Sequence, residues 1–187
     1  AAYGVHVNAE IPRLSAPVID AYLKAFCLLQ RWLVKTHDVN LTRRISPYID
    51  LSPDRYLKRV IKAREPTVQQ LIDNYLRFNN SRNRALDMLP LFAEVDREQI
   101  TRRVDDPRVK PRPTFHFRLP NCCIDVAGWS LAEAWNLWWV VDELANRPQD
   151  IEVLCEEFLR VWRPILGIDE SKWLRRIDTW LAESGLA

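Results

Sequence analysis

The chain has 187 residues, 48% of them hydrophobic and 28% charged, with a formal net charge of +2. That length fits one domain able to bury a real core, and the composition excludes intrinsic disorder and bulk electrostatic attraction to nucleic acid. No apolar run approaches the roughly 20 residues of a membrane span, and the first residues lack a charged-then-apolar signal pattern, so no membrane partner is expected.

Four cysteines, Cys27, Cys122, Cys123 and Cys155, lack the repeated CxxC spacing of structural zinc. Cys27 and Cys155 fall within apolar helical patterns, where a reduced cysteine behaves as a small hydrophobe. A reducing, cytoplasmic setting is the expectation.

Taken in chain order, the first element is a short β-type segment, Tyr3-Gly4-Val5-His6-Val7-Asn8. Successive side chains on a strand point to opposite faces, so His6 and Asn8 share one face and Val5 and Val7 the other. The sequence opens at Ala1, without methionine and almost inside this strand, as expected either of part of a longer polypeptide or of a processed complete protein. Ser15 and Pro17 then signal a helix running to about Thr36, with Val18, Ile19, Tyr22, Leu23, Phe26, Leu29 and Leu33 as its core face. His37, at its end, reads as a structural residue near the terminal carbonyls. The stretch Thr42-Arg43-Arg44-Ile45-Ser46-Pro47-Tyr48-Ile49-Asp50 reads as a solvated loop, because adjacent Arg forks suit phosphate only when held in place.

Ser52-Pro53 and Pro66 announce two further amphipathic helices, the first carrying Tyr56, Leu57, Val60 and Ile61, the second Leu71, Ile72, Tyr75, Leu76 and Phe78. Asn79-Asn80-Ser81-Arg82-Asn83-Arg84 sets Asn and Arg donors beside the apolar stretch from Ala85 to Phe92. It is either a polar helix end or a set of donors fixed by buried neighbours. Proline-rich residues 107–113 form a stiff extended approach to a second β-type segment, Thr114-Phe115-His116-Phe117-Arg118-Leu119-Pro120-Asn121. Here His116 and Arg118 oppose Phe115 and Phe117. A Trp-rich helix over residues 129 to about 146 places Trp135, Trp138 and Trp139 in a core or a subunit contact, compatible with a homo-oligomer. Two more helices start at Pro148 and Asp169, and Gly185 marks the last stop.

The fold class is therefore α+β, mainly helical, with a small antiparallel sheet carrying the His6 and His116 strands in a single domain, 1–187. If those strands pair, two imidazoles, the Asn8 amide and the Arg118 guanidinium converge on a surface suited to a metal ion and an anionic ligand. A Cys-His hydrolase built on Cys122 or Cys123 competes, but no Gly-rich nucleophile turn surrounds them. Only 4 glycines in all remove a P-loop or a dinucleotide fingerprint. A nucleotide would have to be held by side-chain cations and a metal.

Gly4-Val5-His6-Val7-Asn8, then Asn83-Arg84 ahead of Leu89-Pro90, then Phe117-Arg118-Leu119-Pro120 occur in an order that resembles the carboxylate-amine ligase superfamily typified by glutamine synthetase, and more narrowly the amidoligases of bacteria. The resemblance runs from Ala1 through about Ala145. It implies the C-terminal portion of a glutamine-synthetase-like catalytic domain, and an ATP-dependent ligase that joins a carboxylate to an amine through an acyl phosphate. On that pattern His6 looks like a metal or nucleotide-phosphate contact, with Asn8 and Arg82 beside the nucleotide. Arg84 and Arg118 are the catalytic candidates, Arg84 near the transferring phosphoryl group and Arg118 on a carboxylate or phosphate. His6 and His116 are the metal candidates. His116 stands where glutamine synthetase has Glu, which shifts the expected ion from magnesium toward manganese or zinc. The acidic metal-binding strands that precede the Gly-x-His-x-Asn motif in the family have no counterpart in this sequence. The alternative is a binding or assembly module that keeps the scaffold without the chemistry.

Overall fold

The computed structural model describes residues 3–39, 41–45, 47–163 and 167–186. Among them the chain is mainly helical, with two small antiparallel sheets, the α+β class the sequence predicts.

Helix α1 (Ala16–Thr36) is the central rod. The sequence assigns it one core face, but it is buried nearly all round, because helices pack against several of its sides. Its buried polar residues Asp20 and Gln30 each have hydrogen-bond partners, although Asp20 Oδ1 has none among the described residues. Asp20 accepts from Lys24 Nζ at 2.5 Å, and Gln30 exchanges hydrogen bonds with the Ser52 backbone, donating to its carbonyl at 3.2 Å and accepting from its N–H at 3.1 Å. Around the rod stand α3 (Asp54–Lys62), α4 (Val68–Phe78), α7 (Leu131–Ala145), α8 (Pro148–Val161) and α9 (Glu170–Glu183). The short helices are α2 (Leu41–Ile45), α5 (Leu89–Val95) and α6 (Arg97–Arg103).

Several helix starts differ from the proline signals by one or two residues. Thr67, rather than Pro66, caps α4 in a full capping box with Gln70. Ser15 precedes α1 without a side-chain cap bond, and Pro53 rather than Ser52 is the cap position of α3. Gly185 ends α9 at φ +69°, a conformation glycine adopts without steric cost.

The main sheet lies against α1 and α7. Its core pair is β1 (Leu86–Asp87) beside β2 (His116–Phe117), in the register Leu86↔Phe117 and Asp87↔His116. On the other side of β2, residues 3–11 run antiparallel: Val7 and Phe117 exchange two N–H···O bonds of 2.9 Å, and Ile11 N–H donates to Pro113 at 2.9 Å. Beyond β1, Asp50 pairs in parallel with Arg84. Phe115 and Phe117 form the hydrocarbon face. Phe115 stacks on Tyr22 of α1 at 4.6 Å, and Phe115 and Phe117 meet Trp138 of α7 at 5.2 and 5.5 Å between ring centroids. The opposite face carries His6, Asn8, His116 and Asp87.

The three Trp rings of α7, expected in a core or a subunit contact, divide between the interior and the surface. Trp138 is buried, but Trp135 and Trp139 are 53% and 42% exposed, and Leu131 continues the same stripe. The smaller sheet, β3 (Trp162–Arg163) with β4 (Gly167–Ile168), closes the turn from α8 to α9. All four cysteines are free.

Candidate functional site

The site is a file of side chains crossing three paired segments. Asp87 on β1 is fully buried, with one carboxylate oxygen capping the Leu89 N–H at 3.1 Å and the other 3.5 Å from His116 Nδ1. His116, 4% exposed, presents Nε2 to His6 Nδ1 at 3.1 Å. His6 is exposed as a residue, but its ring is partly desolvated where it meets His116. Asn8, also exposed, stands on the His6 face opposite His116 in the register set by Val7 and Phe117. The strands thus bring the two histidines together across 110 positions of sequence.

Guanidinium groups border this file. Arg82 Nε lies 3.8 Å from the same Asp87 oxygen that faces His116. Arg118 donates through Nη1 to the Arg82 carbonyl, and the Nε atoms of both side chains have no hydrogen-bond partner among the described residues. Burial, then the charge of His116, Arg118, Arg43 and Arg82, lowers the His6 pKa from 6.5 to about 4. His6 is consequently a neutral imidazole at neutral pH, with a lone pair to offer.

Arg84 sits apart from the histidines. It donates to the Phe78 carbonyl at 3.1 Å and to the Leu51 carbonyl at 3.4 Å, and pairs with Asp50 at 3.8 Å. The Asn79-to-Arg84 segment combines both readings: it begins as the end of α4, where the fully buried Asn79 is the C-cap and donates its backbone N–H to the Tyr75 carbonyl at 2.7 Å, and its arginines are then held by carbonyls and carboxylates.

The segment read as a solvated loop contains a buried guanidinium. Arg43, 7% exposed, donates to the carbonyls of Arg118, Leu119 and Pro120 at 2.7–2.8 Å and to Asn121 Oδ1 at 3.0 Å. Those carbonyls need it. Pairing steps three residues from Val7 to Gly4 but four from Phe117 to Asn121, so the β2 side carries a bulge whose carbonyls the ladder cannot all satisfy. Gly4 makes room, since a Cβ there would lie 2.8 Å from Arg43 Cζ. Ser46 of the same segment lies outside the described residues. His37 caps α1 through its backbone N–H, donating to Leu33 at 3.0 Å, while its ring lies against Phe117 at 5.6 Å. Burial, then Arg43, lowers its pKa to about 4, so it is neutral rather than a cation on the helix end.

Sequence reasoning missed Asp87 and undervalued Arg43. The signal for Asp87 was a lone carboxylate inside Ala85-Leu86-Asp87-Met88-Leu89, a position that burial forbids without a partner. No hydrogen bond among the described residues joins the Cys122 or Cys123 thiol to an imidazole, so a Cys-His dyad has no geometric support.

Residues 1–140 match the family model described as "Putative amidoligase enzyme". The chain belongs to this amidoligase family. No curated protein and no solved structure matched it.

In this family member the donor set can be tested against a metal and a nucleotide. Two imidazole nitrogens 3.1 Å apart suit a shared proton, and also a single ion with ligand distances of about 2.0–2.1 Å to each. The lowered His6 pKa removes proton competition for that lone pair. The carboxylate of the file, Asp87, is wholly buried and faces the opposite ring nitrogen of His116. Among the described residues no group of three or more His, Cys, Asp or Glu is placed to hold an ion. His6 and His116 could supply two nitrogen ligands of the kind a manganese- or zinc-class ion takes, fewer than such an ion needs, and the donor set does not fit an all-oxygen magnesium cage. Arg82 and Arg118 fit phosphate or carboxylate.

Among the described residues no helix is long and apolar enough to cross a membrane.

Proposed function

We propose that the amidoligase joins a small-molecule or peptide carboxylate to an amine at the expense of ATP, through an acyl phosphate. The observation that carries this reading is the juxtaposition of the His6–His116 pair with the guanidiniums of Arg82 and Arg118, all on the sheet face opposite the hydrocarbon core. In such a reaction a carboxylate oxygen attacks the terminal phosphorus, the bond to ADP breaks, and the amine then displaces phosphate from the acyl carbon and loses a proton. Each stage gathers negative charge on oxygen, so positioning and fixed positive charge carry most of the catalysis.

Arg118 is the residue assigned to the substrate carboxylate or the transferring phosphate. Arg82, tied through its carbonyl to Arg118 and through its side chain to Asp87, sets the spacing of the two forks. His6 and His116 are the residues that would hold a divalent ion, which would supply further neutralisation of phosphate charge. Asn8, exposed on the same face, is the residue that would hydrogen-bond a bound nucleotide or substrate. Arg84, engaged with two carbonyls and Asp50, braces the β1 edge in this reading, and a direct phosphoryl contact would require it to leave them.

The test is a hydroxamate assay with ATP, manganese, hydroxylamine as the amine and a panel of amino acids and short acidic peptides. ADP release coupled to hydroxamate is the expected result. Arg118→Ala should lower turnover by at least 100-fold with an unchanged circular dichroism spectrum; unchanged turnover would remove Arg118 from the mechanism. A second reading, a binding module on the ligase scaffold, is favoured by the exposed stripe of Leu131, Trp135 and Trp139. Calorimetry separates the two: ATP–manganese heat that vanishes in His6→Ala supports the ligase, and no nucleotide binding supports the module.

A further inference from the structure

Among the described residues, some cations of the molecule have carboxylate partners and others have none. Ion pairs engage Lys24, Arg31, Arg64, Arg82, Arg84, Arg102, Arg103, Arg147, Arg160 and Arg176 with carboxylates. One groove gathers several of the cations without carboxylate partners. Between α3 and α4 lies an open concavity of about 760 Å³ lined by Arg55, Lys58, Arg59, Lys62, Arg64 and Arg77. Its one carboxylate, Asp73, turns to Arg103 at 3.5 Å and to Gln99 at 2.9 Å. Among the described residues, Arg55, Lys58, Arg59, Lys62 and Arg77 have no ion-pair partner.

Three of these cations are nonetheless fixed, by neutral groups. Arg59 Nε donates to Asn74 Oδ1 at 2.7 Å, Lys58 Nζ lies 5.4 Å from the centre of the Trp162 ring, and the Arg77 guanidinium lies 5.6 Å from that of Phe78. Neutral partners hold a cation in place without cancelling its charge. The groove is thus ordered before any ligand arrives, which lowers the entropic cost of binding an anion.

We infer that this groove is a docking site for an acidic polypeptide segment. Its length is that of α4, 11 residues or about 16 Å, which an extended peptide of roughly five residues spans. Gln70 and Asn74 in the lining offer side-chain amides to a peptide backbone, and Arg forks match carboxylates bidentately. Nucleic acid is the poorer match. Single strands need free aromatic faces on which bases stack, and the two rings beside the groove, Trp162 and Phe78, already carry Lys58 and Arg77. The inference concerns binding only and stands whether or not the chain is a ligase.

The test is fluorescence anisotropy of the whole protein with a labelled oligoglutamate of roughly five residues, at low and high salt. The expected result is saturable binding that weakens as salt rises, and that falls at least tenfold in a triple variant, Arg59→Gln, Lys62→Gln and Arg77→Gln. All three side chains are exposed, so the variant should keep the wild-type thermal midpoint within a few degrees. A labelled oligoglutamine should not bind. Absence of oligoglutamate binding at low salt, equal binding by a folded triple variant, or tighter binding of an oligothymidylate of equal charge each overturns the inference.

Discussion

At the scale of single residues, Gly4 and Arg43 are coupled by volume, and the coupling can be measured. A methyl group at position 4 would fall on the guanidinium that satisfies the bulge carbonyls of Arg118, Leu119 and Pro120. Gly4→Ala should cost about 1–3 kcal/mol in urea unfolding, the range of overpacking at a rigid site. In an Arg43→Ala background the same change should cost a few tenths of a kcal/mol, because the obstructed group has gone. Equal costs in both backgrounds would show that the guanidinium is not what Gly4 accommodates. Asp87 gives a second ordering. Asp87→Asn keeps an acceptor for the Leu89 N–H but removes the charge facing His116 and Arg82, whereas Asp87→Ala removes both. Each should destabilise, with Ala worse than Asn by about 1 kcal/mol, and the denaturation midpoints should fall in that order.

At the scale of elements, hydrophobic periodicity located α1, α3, α4, α7, α8 and α9, because an amphipathic helix writes its packing into spacings of three and four. Strand alternation likewise put His6 and His116 on polar faces before any partner was known. The details it missed depend on neighbours distant in sequence. Nothing local distinguishes Trp138 from Trp135 and Trp139; the sheet face of Phe115 and Phe117, together with Tyr22, decides which ring is enclosed. Nor does the pair Arg43-Arg44 disclose that one member fills a bulge near Pro120, since the bulge exists only once residues 3–11 have docked. The Trp assignment has a direct check in chemical denaturation. Trp138→Ala should cost about 3–5 kcal/mol, while Trp135→Ser and Trp139→Ser should each stay within about 0.5 kcal/mol. A large loss from either exposed ring would mean that another surface covers it in solution.

For the molecule as a whole, stability should fall with acidity before the ordinary carboxylates titrate. His37 and His6 have folded pKa values of about 4 against 6.5 for the free side chain. The unfolded chain therefore takes up protons as pH drops below about 6.5 while the folded chain does not, and the stability difference accumulates down to about pH 4, where the folded imidazoles finally charge. Asp20 pulls the other way, because burial raises its carboxyl and the folded state then binds its proton more readily than the unfolded one. The net slope mixes these groups, so a variant must isolate one of them. His37 is the better probe, because its ring is packed on Phe117 rather than turned to solvent. In wild type the urea midpoint should decline between pH 7 and pH 4.5, with His37 contributing on the order of 2 kcal/mol. His37→Phe keeps an aromatic ring against Phe117 and deletes the titration, so its midpoint should decline distinctly less over the same interval. Parallel curves for the two proteins would mean that the His37 imidazole takes up its proton as readily in the fold as outside it.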